Sequence, residues 1–135
     1  MSAFKTVLCF LVTALAGVPQ GASAGHTWER ISTSDVETLY ILWESVTPAG
    51  PTVRIAWFRF DPHKAGQHAY DYYLEQNVID CVRRTYTSIA WVDYAKNSSP
   101  LKATIRLREE QKENPTRPET LGDAMVSAAC GGRPR

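Results

Sequence analysis

Two cysteines, Cys81 and Cys130, constrain this chain more than any other feature, because they are the pair that stays once an export segment is removed. The first twenty-four residues, MSAFKTVLCFLVTALAGVPQGASA, place Lys5 before an apolar run from Thr6 to Gly17. A Pro19–Gly21 break and the small residues Ala22-Ser23-Ala24 follow, which is the layout of a secretory signal peptide. Cleavage is expected between Ala24 and Gly25, dividing the chain into a signal peptide (1–24) and a single domain (25–135). The apolar run is shorter than the roughly 20 residues of a transmembrane helix, and no later stretch approaches that length. Cys9 leaves with the segment. It lies early in the apolar run behind Thr6-Val7-Leu8, which is not the setting of a lipid-anchoring cysteine. In an oxidising compartment, two thiols in a small exported domain are more often paired than free. That favours a Cys81–Cys130 disulfide over a nucleophile, a metal ligand or an inert thiol at Cys81.

Charge narrows the partners. Lys5 departs with the signal, so fifteen basic residues become fourteen, against fourteen acidic ones. A neutral balance gives no general attraction to nucleic acid or anionic membranes, and neither is expected as a partner.

The periodicities predict a strand-dominated α+β domain. Trp28 to Ser32 and Leu39 to Trp43 are short, aromatic and β-branched, and read as an opening pair of strands. Ser45 to Thr52 holds two prolines and a glycine and reads as a loop. In Val53 to Phe60, Val53, Ile55 and Trp57 lie on one face and Ala56, Phe58 and Phe60 on the other, as in a central strand covered on both sides. A turn-rich connector spans Asp61 to His68. One long strand is expected from about Tyr73 through Tyr86, with a bulge near Gln76-Asn77. Ser88 to Tyr94, the turn Lys96 to Pro100, and "LKATIRLR" then form a hairpin. In its second arm Leu101, Ala103, Ile105 and Leu107 alternate with Lys102, Thr104, Arg106 and Arg108, the signature of a half-buried strand. "EEQKENPTRP" reads as a surface loop. Leu121, Met125 and Ala128 recur at helical spacing, with Thr116 or a neighbour as cap, Pro118 in the first turn and Cys130 before a glycine stop.

In their order these segments resemble the surface-adhesin protein E family of exported bacterial proteins. The resemblance rests on an opening Trp28, "LYILWESV" (39–46), "IDCVRRTY" (79–86), a following strand pair, and a proline-led helix ending in Cys130. It implies an antiparallel sheet of about five to six strands with a C-terminal helix tied to it by the disulfide. It further implies an adhesin's binding role toward host matrix proteins, and an extracellular matrix or envelope protein is the partner expected. Leu42 stands where members of the family often carry Asp after the Tyr-Ile pair.

Cys81 as a nucleophile needs a base such as His63 or His68, and the second cysteine argues against it. Asp61, His63 and His68 sit in a turn-rich segment with no helix to fix ligand spacing, so they read as solvated rather than as a metal site. No metal or other cofactor is expected. No G-x-S-x-G, H-E-x-x-H, P-loop or dinucleotide fingerprint occurs. Asn97-Ser98-Ser99 is formally a glycosylation sequon and reads as a turn. Lys102, Arg106 and Arg108 read as a solvated stripe that guards a strand edge. Tyr70, Tyr72, Tyr73, Tyr86, Trp91 and Tyr94 give an aromatic middle, part of which must be core. The reading is an exported, periplasmic or secreted, non-enzymatic binding protein of adhesin-like character. The alternative is a periplasmic structural or stress-related envelope protein without a host ligand.

Overall fold

The computed structural model describes residues 26–64 and 66–135; the expected signal peptide and its Ala24–Gly25 junction lie outside them. The described chain runs β1 (Trp28–Thr33), β2 (Glu37–Leu42), β3 (Thr47–Pro48), β4 (Val53–Pro62), β5 (Tyr72–Asp80), β6 (Thr85–Tyr94), β7 (Pro100–Ile105), β8 (Glu113–Pro115) and α1 (Leu121–Gly131). All strand pairs are antiparallel. The sheet has the order β1-β2-β4-β5-β6-β7, with β3 added to β4 and β8 added to β6. This is the α+β architecture expected, an antiparallel sheet with one C-terminal helix.

Local chemistry sets the turns. The Ser34 hydroxyl accepts the N–H groups of Val36 and Glu37 and so closes the β1–β2 turn. Ser45 donates to the Leu42 carbonyl at 2.6 Å and accepts the Trp57 N–H at 2.8 Å, which docks the segment after β2 onto β4. Because β4 lies inside the sheet, Ala56, Trp57 and Phe58 are buried in succession, on alternating faces.

The two faces of the sheet are closed differently. On one, Leu39, Ile41, Ala56, Phe58, Phe60 and Ile79 pack against Met125, Val126 and Ala129 of α1. On the other, Leu42, Trp57, Tyr72, Leu74, Val92 and Tyr94 form a second cluster to which α1 contributes nothing. There the aromatic rings shield one another. Tyr72 and Tyr94 stack at 5.0 Å, and the Arg59 guanidinium lies 4.1 Å from the Tyr72 ring centre while pairing with Asp61 at 2.6 Å.

Several sequence expectations are corrected. The single long strand through Tyr86 is a hairpin of β5 and β6, reversed at residues 81–84. Asp80 Oδ1 accepts the N–H groups of Val82 and Arg83, and Arg84 takes a left-handed φ of 51°. A short polar side chain that captures local backbone groups breaks a strand more effectively than the β-branched residues around it extend one. Cys81 therefore opens a turn and is not in mid-strand. The bulge expected at Gln76-Asn77 is present, and its extra residue is Ile89 on β6. The polar segment before α1 carries β8 and a short 3-10 turn at Arg108–Glu110. The helix cap is Thr120, whose side chain accepts the Asp123 N–H, so Pro118 lies before the helix. Gly132, with φ 77°, ends it.

Cys81 and Cys130 are joined, with 5.7 Å between their Cα atoms. The bridge spans 49 positions, and constraining a loop of that length stabilises a fold by about 4 kcal/mol on chain-entropy grounds. Among the described residues no helix is long and apolar enough to cross a membrane.

Candidate functional site

Beyond the reach of α1, the helix-side face of the sheet changes character. The registers Phe58↔Glu75, Glu75↔Trp91 and Trp91↔Thr104 carry that face outward from β4 to β7. There Tyr73, Glu75, Tyr86, Ser88, Trp91, Asp93, Lys102 and Arg106, with Tyr70 and Asn114, line a cavity of about 490 Å³. Glu75 is its most buried charge. Burial raises its pKa above the ordinary value, and Asn77, which donates to its carboxylate at 3.0 Å, Ser88 and the Arg106 charge offset part of the rise. Arg106 lies 4.6 Å from the ring centre of Trp91, and its buried Nε has no acceptor. Asn77 Oδ1 and Thr104 Oγ1 are buried without a partner nearby. Buried polar atoms left open in this way cost free energy unless something completes them. Tyr70 stands edge-on to Tyr73 at 5.5 Å and stacks on His68 at 5.0 Å, extending an aromatic wall toward a second cavity beside Glu37.

The strand next to this cavity departs most from its sequence pattern. Leu101, Ile105 and Leu107, which the alternation marks for burial, are 53%, 79% and 60% exposed. Arg106, which the same pattern marks for solvent, is half-buried on Trp91. The alternation correctly gives a strand with two faces. It fails on burial because β7 is the last strand of the sheet and nothing among the described residues lies over its apolar side.

The remaining sequence candidates do not assemble into chemistry. His63 is held at the β1–β2 turn: its Nδ1 donates to the Asp35 carbonyl at 3.3 Å, leaving Nε2 to accept from Thr38 at 2.9 Å. Asp61 pairs with Arg59, and His68 stacks on Tyr70. Among the described residues no group of three metal-ligating side chains comes together. Cys81 is bridged and carries no free thiol.

The family model described as surface-adhesin protein E matches residues 28–131. The chain belongs to the surface-adhesin protein E family. No curated protein and no solved structure shows significant similarity to it. Membership in a family of surface adhesins carries with it an exported protein of adhesin-like character.

The segments that carry the likeness to surface-adhesin protein E turn out to hold the fold together. In "DCVRR", Asp80 closes the turn and Cys81 bridges to α1. Arg83 pairs with Glu113 of β8 at 2.6 Å, and Arg84 reaches Asp123 and Ser127 of α1 at 2.6 and 2.9 Å. Exposed ion pairs contribute little stability singly, so these act as locators of α1 and β8, with the disulfide as the strong link. Ser45, near the end of "LYILWESV", joins two segments as described. The cavity residues Glu75, Trp91 and Arg106 lie outside both quoted motifs. The sequence pattern carries no signal for Glu75 or Arg106, and it marks Trp91 only as one of an aromatic middle of which part must be core.

Proposed function

We propose that the protein is an exported, non-enzymatic binding protein that contacts a matrix or envelope protein through the β7 side of its sheet. The observation that carries this reading is the exposure of Leu101 and Ile105 in β7 and of Leu107 just beyond its end, with Lys102 and Arg106 on the companion face. Apolar groups gathered on one exposed strand, rimmed by charge, mark a site for a macromolecular partner. The family supports the same direction, since its description is that of a surface adhesin. The test is capture of host-matrix and envelope proteins by the mature protein, beside surface labelling of intact cells. Capture that is lost on Ile105→Glu supports the reading, and capture indifferent to it removes β7 from the interface. A protein that no surface label reaches would fit the envelope-maintenance role instead. Export is also proposed to remove residues 1–24. Sequencing the N-terminus of the exported protein checks this, with Gly25 expected first and retention of Met1 overturning it.

A further inference from the structure

We propose that the outer edge of β7 receives an extended segment of a partner polypeptide in which apolar side chains alternate with carboxylates. This rests on the protein-binding reading above and names the class of partner. Backbone direction comes first. The Arg106 N–H donates to the Ile89 carbonyl of β6 at 2.9 Å. In an antiparallel ladder, N–H and C=O of one residue point to the same side and alternate residues point to opposite sides. Thr104 and Lys102 therefore share the inward direction of Arg106. Ala103 and Ile105 turn their N–H and C=O groups away from β6, toward the free edge. Leu101 is the extra residue of a bulge opposite Asp93 and Tyr94, so the open register is centred on Ala103 and Ile105.

Side chains then fix what fits. On the face away from α1, Ala103 and Ile105 share a cavity of about 340 Å³ with Trp57, Ala90 and Val92. An added strand would lay every second side chain over that apolar ground. On the opposite face its intervening residues would lie beside Lys102 and Arg106, neither of which makes an ion pair among the described residues. Opposite charges facing each other across neighbouring strands stabilise the pair, and like charges destabilise it. A second copy of this chain meets the unfavourable case. Antiparallel pairing of β7 with itself gathers the cations of both copies on one face, and centred on Thr104 it sets Lys102 against Arg106. The other sheet edge offers no such opening, since β1 has an irregular register at Arg30–Ser32 and Glu29 pairs with Arg133 at 3.1 Å.

The probe is an eight-residue peptide alternating valine and glutamate, N-methylated along one edge so that it cannot pair with itself. Titrated against the mature protein, it is expected to bind saturably and to slow amide exchange at Ala103 and Ile105 at least tenfold. The same peptide with lysine for glutamate is expected not to bind. Ala103→Pro removes one outward N–H without touching the β6 ladder, and an edge position tolerates proline. That variant should melt like the unaltered chain and bind the peptide at least tenfold more weakly, and Lys102→Glu should do the same. Equal binding of the lysine peptide, or unchanged affinity in Ala103→Pro, overturns the proposal. Protection of Ala103 and Ile105 that grows with protein concentration and needs no peptide assigns the edge to a second copy and also overturns it. A captured natural partner indifferent to both variants sinks strand addition and leaves the binding reading intact, whereas failure to capture any partner sinks the binding reading itself.

Discussion

The same face of the same sheet is apolar and sealed over β2 and β4 but polar, aromatic and open over β6 and β7. Under α1, Leu39, Ile41, Ala56 and Phe58 are fully buried against Met125, Val126 and Ala129. A few ladder positions away, Glu75, Ser88, Trp91 and Arg106 line a cavity. The ladder is continuous between the two regions, so strand pairing does not distinguish them. What differs is cover, and the residue types broadly follow it: the fully buried side chains packed with the helix are apolar, with aromatic rings such as Trp43 and Tyr86 at the margin; where it stops, a carboxylate, an amide and a guanidinium are half-buried or buried, the last two incompletely partnered. The covered half stabilises the fold, and the open half is the one that the proposed binding role would use.

The largest test removes the cover. Cys130→Ser releases α1 from the β5–β6 turn and forfeits about 4 kcal/mol of loop constraint. For a domain of this size that corresponds to a fall in Tm of more than about 10 °C. Limited proteolysis should then cut the segment from Thr116 onward first. A Tm unchanged by the substitution would mean that helix packing alone seals the covered half.

A smaller perturbation acts at the boundary between the two regions. A Cβ added at Gly122 would lie 2.6 Å from the Tyr86 ring, so α1 starts in direct contact with β6 there. Replacing glycine by alanine inside a helix ordinarily stabilises it by about 0.5–1 kcal/mol. Here overpacking should reverse the sign, with Gly122→Ala losing about 1–3 kcal/mol in urea denaturation. A gain in stability would show that α1 sits farther from the sheet.

These two tests also mark how much was legible in the sequence. The disulfide was legible because the expected loss of residues 1–24 would leave two cysteines, and the central strand was legible because apolar residues occupy both of its faces. The β5–β6 reversal was not, because its turn is made by Asp80 and a left-handed arginine without glycine or proline. The half-buried polar site was hidden for another reason. Parity along "LKATIRLR" assigns residues to two faces but says nothing of which face has cover: the apolar residues of β7 lie on the face away from α1, at the end of the sheet, and Arg106 lies on the other face against Trp91. Gly122 likewise carries no local signal for the ring it must clear.

Within the open half, Glu75 offers a pH test. Its folded-state pKa is raised by burial above the ordinary 4.5, so the folded state binds its proton more tightly than the unfolded state does. Stability contributed by this group is therefore present at low pH and declines as pH rises from about 4.5 through the raised value. Glu75→Gln keeps an acceptor for Asn77 and removes the charge. It should raise Tm modestly at pH 7 and flatten the slope above pH 4.5, leaving the contributions of Glu37 and Asp93, which burial shifts in the same direction. A lower Tm at pH 7 would instead mean that Arg106 holds the carboxylate more firmly than burial disfavours it.

The smallest expected effect extends the comparison to the other face of the sheet, where β7 carries Ile105. Ile41 and Ile105 are the same residue type in the same sheet, one 0% exposed and the other 79% exposed. Truncating a buried isoleucine to alanine costs about 2–5 kcal/mol, through lost transfer free energy and the cavity left behind. At Ile105 neither effect operates: most of the side chain already meets water, and no enclosing wall remains to collapse. Ile105→Ala should therefore change stability by no more than about 0.5 kcal/mol, while Ile41→Ala falls in the core range. Equilibrium denaturation of the two variants, measured side by side, reads the difference directly. If Ile105→Ala cost as much as Ile41→Ala, the apolar side of β7 would be covered in solution. Repeating the measurement over a hundredfold range of protein concentration then separates a covering segment of the same chain from a second copy, because only the second copy makes the loss depend on concentration.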